Sequence, residues 1–313
     1  MLDKIRSKFI IKTIFENVKN KRKLNIIKYN KRILFRLNIN KEDFKIYKSL
    51  KEFNNKYKAN IEDIDINQLD LTRKYIKNDG LKCLVKINFK ELKVLNLSHN
   101  KISDINILKK SKIEKLNTLN LSNNQISDIN LLVKANLKEL KELNLEYNQI
   151  SDISIFERTN LKELKVLRLR NNKISDINIL GKANLKELKV LNLSSNKISD
   201  INILEKANLK ELKELNLSAN KISDINILEK ANLKELKELN LSTNKISDIN
   251  ILEKVNIKEL NILNLSYNKI SDINILEKVN FKELKELDLR YNQIDENKNN
   301  ILFNLKSKLN IKI

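Results

Sequence analysis

The side chains that most often act as nucleophile, proton shuttle or soft metal ligand occur once each in the 313 residues, as Cys83 and His99. A zinc site takes about four such ligands and a disulfide takes two cysteines, so neither is expected within the chain. Carboxylates are plentiful, but Asp104, Asp128, Asp152 and Asp176 recur at a fixed interval, each directly after a serine. Standing singly, they lack the clustering that paired acid–base work or a calcium loop requires, and a role at a helix start accounts for them. Gly80 and Gly181 are the only glycines, which removes the glycine-rich loop that cradles a phosphate. No catalytic, metal or cofactor site is therefore expected. What the chain does offer is recognition chemistry: Glu146, Tyr147, Arg168, Arg170 and Asn171 in one group, and Tyr267, Arg290 and Tyr291 in another. Tyrosine and arginine are the types that dominate interface energies.

The interval that spaces the aspartates organises most of the chain. Asn100, Asn124, Asn148, Asn172, Asn196, Asn220, Asn244, Asn268 and Asn292 stand 24 residues apart, each closing an L-x-x-L-x-L-x-x-N core. A degenerate unit precedes them, with Ile66, Leu69, Leu71 and Ile76 in register and Lys74 where asparagine belongs. Within one unit, Leu215 and Leu217 alternate with Glu214, Asn216 and Ser218, the period of a strand buried on one face. Asn220 then ends the strand, its amide suited to bonding the backbone of adjacent coils. Ile222, Ile225, Leu228 and Ala231 follow at every third residue, the pattern of a short helix or 3-10 segment, with Ser223 placed to cap its start. A single unit cannot bury this apolar set; stacked units can.

These residues resemble the leucine-rich-repeat family over residues 66–292, and the motif N-x-I-S-D-I, as at Asn100–Ile105, resembles internalin-type and phosphatase-regulator-type repeats. The resemblance implies an α/β solenoid with a parallel sheet on its concave face and short helices or 3-10 segments on its convex face. It also implies that both residue groups above lie on the concave face. There the column between the strand leucines is mostly asparagine (Asn96, Asn120, Asn144, Asn192, Asn216, Asn240, Asn264) and the next outward column mostly serine, a ladder of small polar groups. Glu146 and Arg170 fall on adjacent rungs, close enough to pair with each other rather than with a partner.

The net charge of +22 is concentrated at the N-terminus, where residues 1–60 carry 18 Lys/Arg against 5 Asp/Glu. Codons rich in A and T for Lys, Asn and Ile explain this charge as readily as a selected basic surface does. Residues 1–60 read as a helical head, with Ile5, Phe9, Ile10, Ile14 and Val18 on one helical face, then Leu24, Ile27, Leu34 and Leu37, then Phe44, Tyr47, Leu50 and Phe53. One reading is a cap packed on the first repeat, which every solenoid needs. A second rests on the segment IIKTIFENVKNKRKLNIIKYNKRILFRL, which resembles an F-box with Ile14 and Phe15 as its I-F pair and Leu24 and Ile27 on the following helix. That resemblance implies a substrate receptor bound to the adaptor of a cullin ubiquitin ligase. A third is a basic patch for nucleic acid or anionic membrane around Lys19, Lys28, Arg32 and Arg36, whose single aromatic, Tyr29, makes a poor stacking platform.

The expected domains are the head at 1–60, the solenoid at 61–292 and a C-terminal cap at 293–313. The start of the chain shows no apolar signal region, and one cysteine fits a reducing compartment, so a cytoplasmic or nuclear monomer is expected. The expected function is non-catalytic: holding a protein partner on the concave face.

Overall fold

The computed structural model describes residues 41–62, 64–87, 89, 91–110, 113–135, 137–255, 257–279, 282–295, 301, 303 and 310–312. Helix α1 (Lys41–Tyr57) leads into strand β1 (Gln68–Asp70), helix α2 (Asn78–Leu84) and then a series of short strands. These are β2 (Val94–Asn96), β3 (Thr118–Asn120), β4 (Glu142–Asn144), β5 (Val166–Arg168), β6 (Val190–Asn192), β7 (Glu214–Asn216), β8 (Glu238–Asn240), β9 (Ile262–Asn264), β10 (Glu286–Asp288) and β11 (Asn310–Lys312). They form one parallel sheet of 11 strands whose spatial order is the chain order.

Leucine pairs with leucine all along this sheet, from Leu69 opposite Leu95 to Leu263 opposite Leu287, and Ile311 extends the row. Only two residues per strand unit face inward, Leu95 and Leu97 for example, and both are almost fully buried. Parallel neighbours cannot be joined by a tight hairpin, so each strand reaches the next through a complete coil. The return path carries 3-10 segments such as Asn226–Glu229, whose Leu228 is buried, or in one coil the single-turn helix α3 (Leu131–Lys134). Four residues are enough for one eclipsed turn and too few for a stable α-helix.

The cap of each return segment is the aspartate rather than the serine expected at that place. Asp224 Oδ1 accepts the backbone N–H of Asn226 at 2.8 Å, and Asp104, Asp128, Asp152, Asp176, Asp200, Asp248 and Asp272 repeat the bond. The carboxylate reaches two residues forward as an Asx turn and also carries the better acceptor.

The asparagine that closes each core bonds neighbouring coils together. Asn148 Nδ2 donates to the carbonyls of Leu121 on the preceding coil and of Leu145 and Glu146 on its own, while Oδ1 accepts the N–H of Ile126. The same set recurs from Asn100 through Asn268, so the interior backbone left unpaired by the turn is satisfied by one side chain per coil.

The residue just before that asparagine lies in the left-handed region in every unit. Arg73, His99, Asn123, Tyr147, Asn171, Ser195, Ala219, Thr243, Tyr267 and Tyr291 have φ between 53° and 58°, and none is glycine. From Arg73 to Tyr267 the bend turns the N–H onto the next coil, as in Tyr147 N–H to the carbonyl of Arg170 at 2.8 Å, and this bond offsets a backbone cost of about 1 kcal/mol.

At the N-terminal end, α1 buries Leu50 and Phe53 against the first coils. Asn54 clamps Ile61 by donating from Nδ2 to its carbonyl and accepting its N–H on Oδ1. Tyr57 packs on Phe53 with ring centroids 4.7 Å apart and passes so close to Gly80 that a Cβ there would stand 2.7 Å from its Oη. At the other end β11 continues the sheet beyond β10.

Candidate binding face

The column between the strand leucines begins at Asp70, and Asp288 precedes its last member, Lys312. Asp70 and Asp288 flank Asn96, Asn120, Asn144, Arg168, Asn192, Asn216, Asn240 and Asn264. Each asparagine turns its Oδ1 back on the chain to accept the N–H two residues on, at 3.0 Å in Asn216 to Ser218, and both aspartates do the same. Because the carbonyl is committed, the amide NH2 is the group left facing outward. The serines are less available than the alternation implied. Ser98, Ser122, Ser194 and Ser266 are buried, and Ser194, Ser218, Ser242 and Ser266 donate Oγ–H to the neighbouring asparagine. A small side chain flanked by its own copies on the rungs above and below is shielded even on the outer face.

The first sequence group meets as a cluster, with pairings that differ from the expected one. Glu146 Oε1 accepts Nδ2 of Asn192 at 3.2 Å, reaching past the intervening rung. Arg170 instead lies over the ring of Tyr147, 5.5 Å from its centroid. Asn171 and Tyr147 are consecutive members of the left-handed column, which sets them at the edge of the sheet face. Arg168 is half-buried, and its side chain has no hydrogen bond or ion pair among the described residues. Between Asp70 and Asp288 it is also the one member of its column without the return bond to the backbone.

The second group is built on ion pairs. Asp288, only 3% exposed, takes Arg290 bidentately, with Nε to Oδ1 at 3.0 Å and NH2 to Oδ2 at 2.7 Å. That guanidinium holds the Asp288 carboxyl below its usual range, its hydrogen bond outweighing the effect of burial. Tyr267 and Tyr291, both exposed, stack with centroids 4.1 Å apart and planes inclined by 19°. A hydrogen bond to Tyr291 raises the Tyr267 hydroxyl above its ordinary range. Beside them Lys312 on β11 pairs with Glu286 on β10. Asp288, Glu286 and Lys312 escaped the sequence reading because a lone acid in a repeating column and a terminal lysine carry no local mark of pairing.

Between the two groups lies a shallow depression of about 240 Å³, bordered by Arg168, Asn192, Glu214, Asn216, Glu238 and Asn240 among others. Cys83 and His99 do not come together: Cys83 is half-buried in α2 and His99 is exposed in the left-handed column. No group of three His, Cys, Asp or Glu among the described residues is placed to hold a metal ion, and no described helix is long and apolar enough to cross a membrane. Ile14, Phe15, Leu24 and Ile27, with the basic patch around them, lie outside the described residues.

Comparison with known proteins agrees with this geometry. No curated protein matches the chain by sequence. Among solved structures, an internalin from Listeria monocytogenes is 25% identical, covering 85% of this chain and 90% of its own, with a TM-score of 0.50. Internalin C2 of the same species is 28% identical, covering 68% and 90%, with a TM-score of 0.54. A plant peptide hormone receptor, solved in complex with RGF2, shares the fold at 20% identity, covering 72% and 43%, with a TM-score of 0.51. A family model described as leucine-rich repeats in two copies matches in overlapping pairs from residues 90–134 to residues 210–254. Those pairs span more than half of the chain, and they follow the same coils that the asparagine ladder and the leucine row define. The chain belongs to the leucine-rich-repeat family.

Proposed function

We propose that the protein is a non-catalytic scaffold that holds a protein partner on the concave face of its sheet. Glu146, Tyr147, Arg168, Arg170 and Asn171 form one anchor in this reading, and Tyr267, Arg290 and Tyr291 the other. The observation that carries it is the placement of exposed tyrosines. Tyr147, Tyr267 and Tyr291 are among the few large apolar side chains left exposed, and each stands beside an arginine or a second ring. Proteins of this fold commonly mediate protein–protein contacts, and the plant peptide hormone receptor named above was solved in complex with RGF2. A face of 11 rungs at about 4.8 Å extends roughly 50 Å, which suits a protein domain or an extended segment better than a small molecule.

The test is affinity capture by the full chain and by a variant with Tyr147, Arg168 and Arg170 replaced by alanine. Loss of the captured partner with an unchanged unfolding midpoint supports the reading. Equal capture by the two proteins rejects it. A cytoplasmic setting and a monomeric state belong to the same proposal, the first supported by the single cysteine; fractionation and light scattering check them.

A further inference from the structure

Charge in the depression is divided by position. At one end stands Arg168, half-buried, its guanidinium without a partner among the described residues. Two and three rungs further on, Glu214 and Glu238 line the same depression, their carboxylates also without a hydrogen bond or ion pair among the described residues. Elsewhere on this sheet Arg290 pairs with Asp288 and Lys312 with Glu286, while the Glu146 carboxylate is held by the amide of Asn192. Repulsion within the Glu214 and Glu238 pair on adjacent rungs is relieved by a cation placed between them, and Arg168 lies too far away to serve.

Asn192, on the rung between Arg168 and Glu214, holds the Glu146 carboxylate, and the floor beside the two glutamates is formed by Asn216 and Asn240. Asn216 and Asn240 commit Oδ1 to the N–H and the hydroxyl of Ser218 and Ser242, so each presents NH2 outward. A row of outward N–H donors is matched by carbonyl oxygens, which an extended backbone supplies regularly.

From this arrangement we propose that the depression binds an extended dipolar peptide segment. An acidic side chain of the segment pairs with Arg168, a basic side chain sits between Glu214 and Glu238, and backbone carbonyls between them accept from Asn216 and Asn240. The inference rests on the scaffold reading above and adds the chemical class of the segment. The spacing follows from the lattice. Arg168 and Glu214 are separated by two rungs along the sheet and one two-residue step along the strand, roughly 12 Å. An extended chain covers that distance in four residues, and residues i and i+4 project to the same side. Charged groups at i and i+4 therefore fit, whereas i and i+3 project to opposite sides.

The test uses the full chain and blocked seven-residue peptides by NMR titration. The probe is Gly-Glu-Gly-Ser-Gly-Lys-Gly. The comparison peptides carry Glu at both charged places, Lys at both, or Glu and Lys three apart. The probe is expected to bind at least fivefold more tightly than each comparison peptide. Arg168→Gln, and separately the pair Glu214→Gln with Glu238→Gln, should remove that preference, while Lys221→Gln on the convex side leaves it intact. Equal binding of the two-glutamate peptide, an unchanged preference in Arg168→Gln, or no binding of the probe at about 10 mM overturns the proposal. Partner capture that depends on Tyr147, Arg168 and Arg170, together with no preference for the probe, rejects this inference and leaves the scaffold reading standing.

Discussion

Arg170 lies over the ring of Tyr147, with its guanidinium carbon 5.5 Å from the ring centroid, and leaves Glu146 to bond Asn192. Tyr147 is held in the left-handed region at φ 53°, which sets its ring beside the arginine of the following rung. One face of the tyrosine is thus covered by a cation.

A double-mutant cycle between Tyr147→Ala and Arg170→Ala is expected to give a coupling of about 0.5–1 kcal/mol, the range of an exposed cation–π contact. The cycle between Glu146→Gln and Arg170→Ala should give none. Chemical unfolding measures both, and a larger coupling in the second cycle contradicts the geometry.

Asn172 donates to the carbonyls of Leu145, Leu169 and Arg170 and accepts the N–H of Ile150. Asn172→Ala leaves several of these backbone groups buried without partners, at a cost of about 2–4 kcal/mol. The loss should appear in the urea midpoint, and because coils are coupled to their neighbours it should broaden the transition. A change below 1 kcal/mol, an order-of-magnitude threshold, would show that water replaces the ladder there.

Ala219 occupies the left-handed column with φ 54° and presents only a methyl group. Ala219→Gly removes the steric cost of that conformation and is expected to stabilise the protein by about 0.5 kcal/mol, after the larger entropy of glycine in the unfolded chain is deducted. Thermal unfolding should show a raised midpoint.

The Asp288 carboxyl is held below its usual range by Arg290, so its contribution to stability is complete above the unfolded value of about 4 and is lost as pH falls through the folded one. Asp152 acts with the same sign through its bond to Ser154. Asp288→Asn should therefore be less stable than the parent at pH 7, an illustrative condition about three units above that range, with the gap narrowing in acid. Urea titrations at the two conditions decide it.

Tyr267 ionises above its ordinary range because of its hydrogen bond to Tyr291, and the neutral form is the one the fold favours. That contribution is present below the ordinary tyrosine value of about 10 and disappears as pH rises through the folded one. Tyr291→Phe should move one component of the alkaline tyrosinate titration to lower pH, read from ultraviolet absorbance. An unchanged curve would place the shift elsewhere.

The periodicity of the sequence determined everything that is the same in each coil. Leucines at fixed offsets produced the in-register row from Leu69 to Leu287, and Asn100 through Asn292 produced the ladder, because identical local chemistry every 24 residues has one way to stack. Even the exchange of serine for aspartate as the cap is a local matter, two residues wide. Tertiary structure decided what depends on distance between unlike side chains on different rungs. Glu146 could reach either Arg170 or Asn192, and the positions of the rungs chose Asn192, 46 residues along the chain. The left-handed column gave no signal in the sequence because none of its members is glycine; the bend is imposed by hydrogen bonds to the next coil. Arg168 read simply as an arginine on a strand. Only the stacked coils show that its guanidinium has no partner among the described residues and that Glu214 and Glu238 line the same depression, since charge complementarity is a property of space rather than of order along the chain.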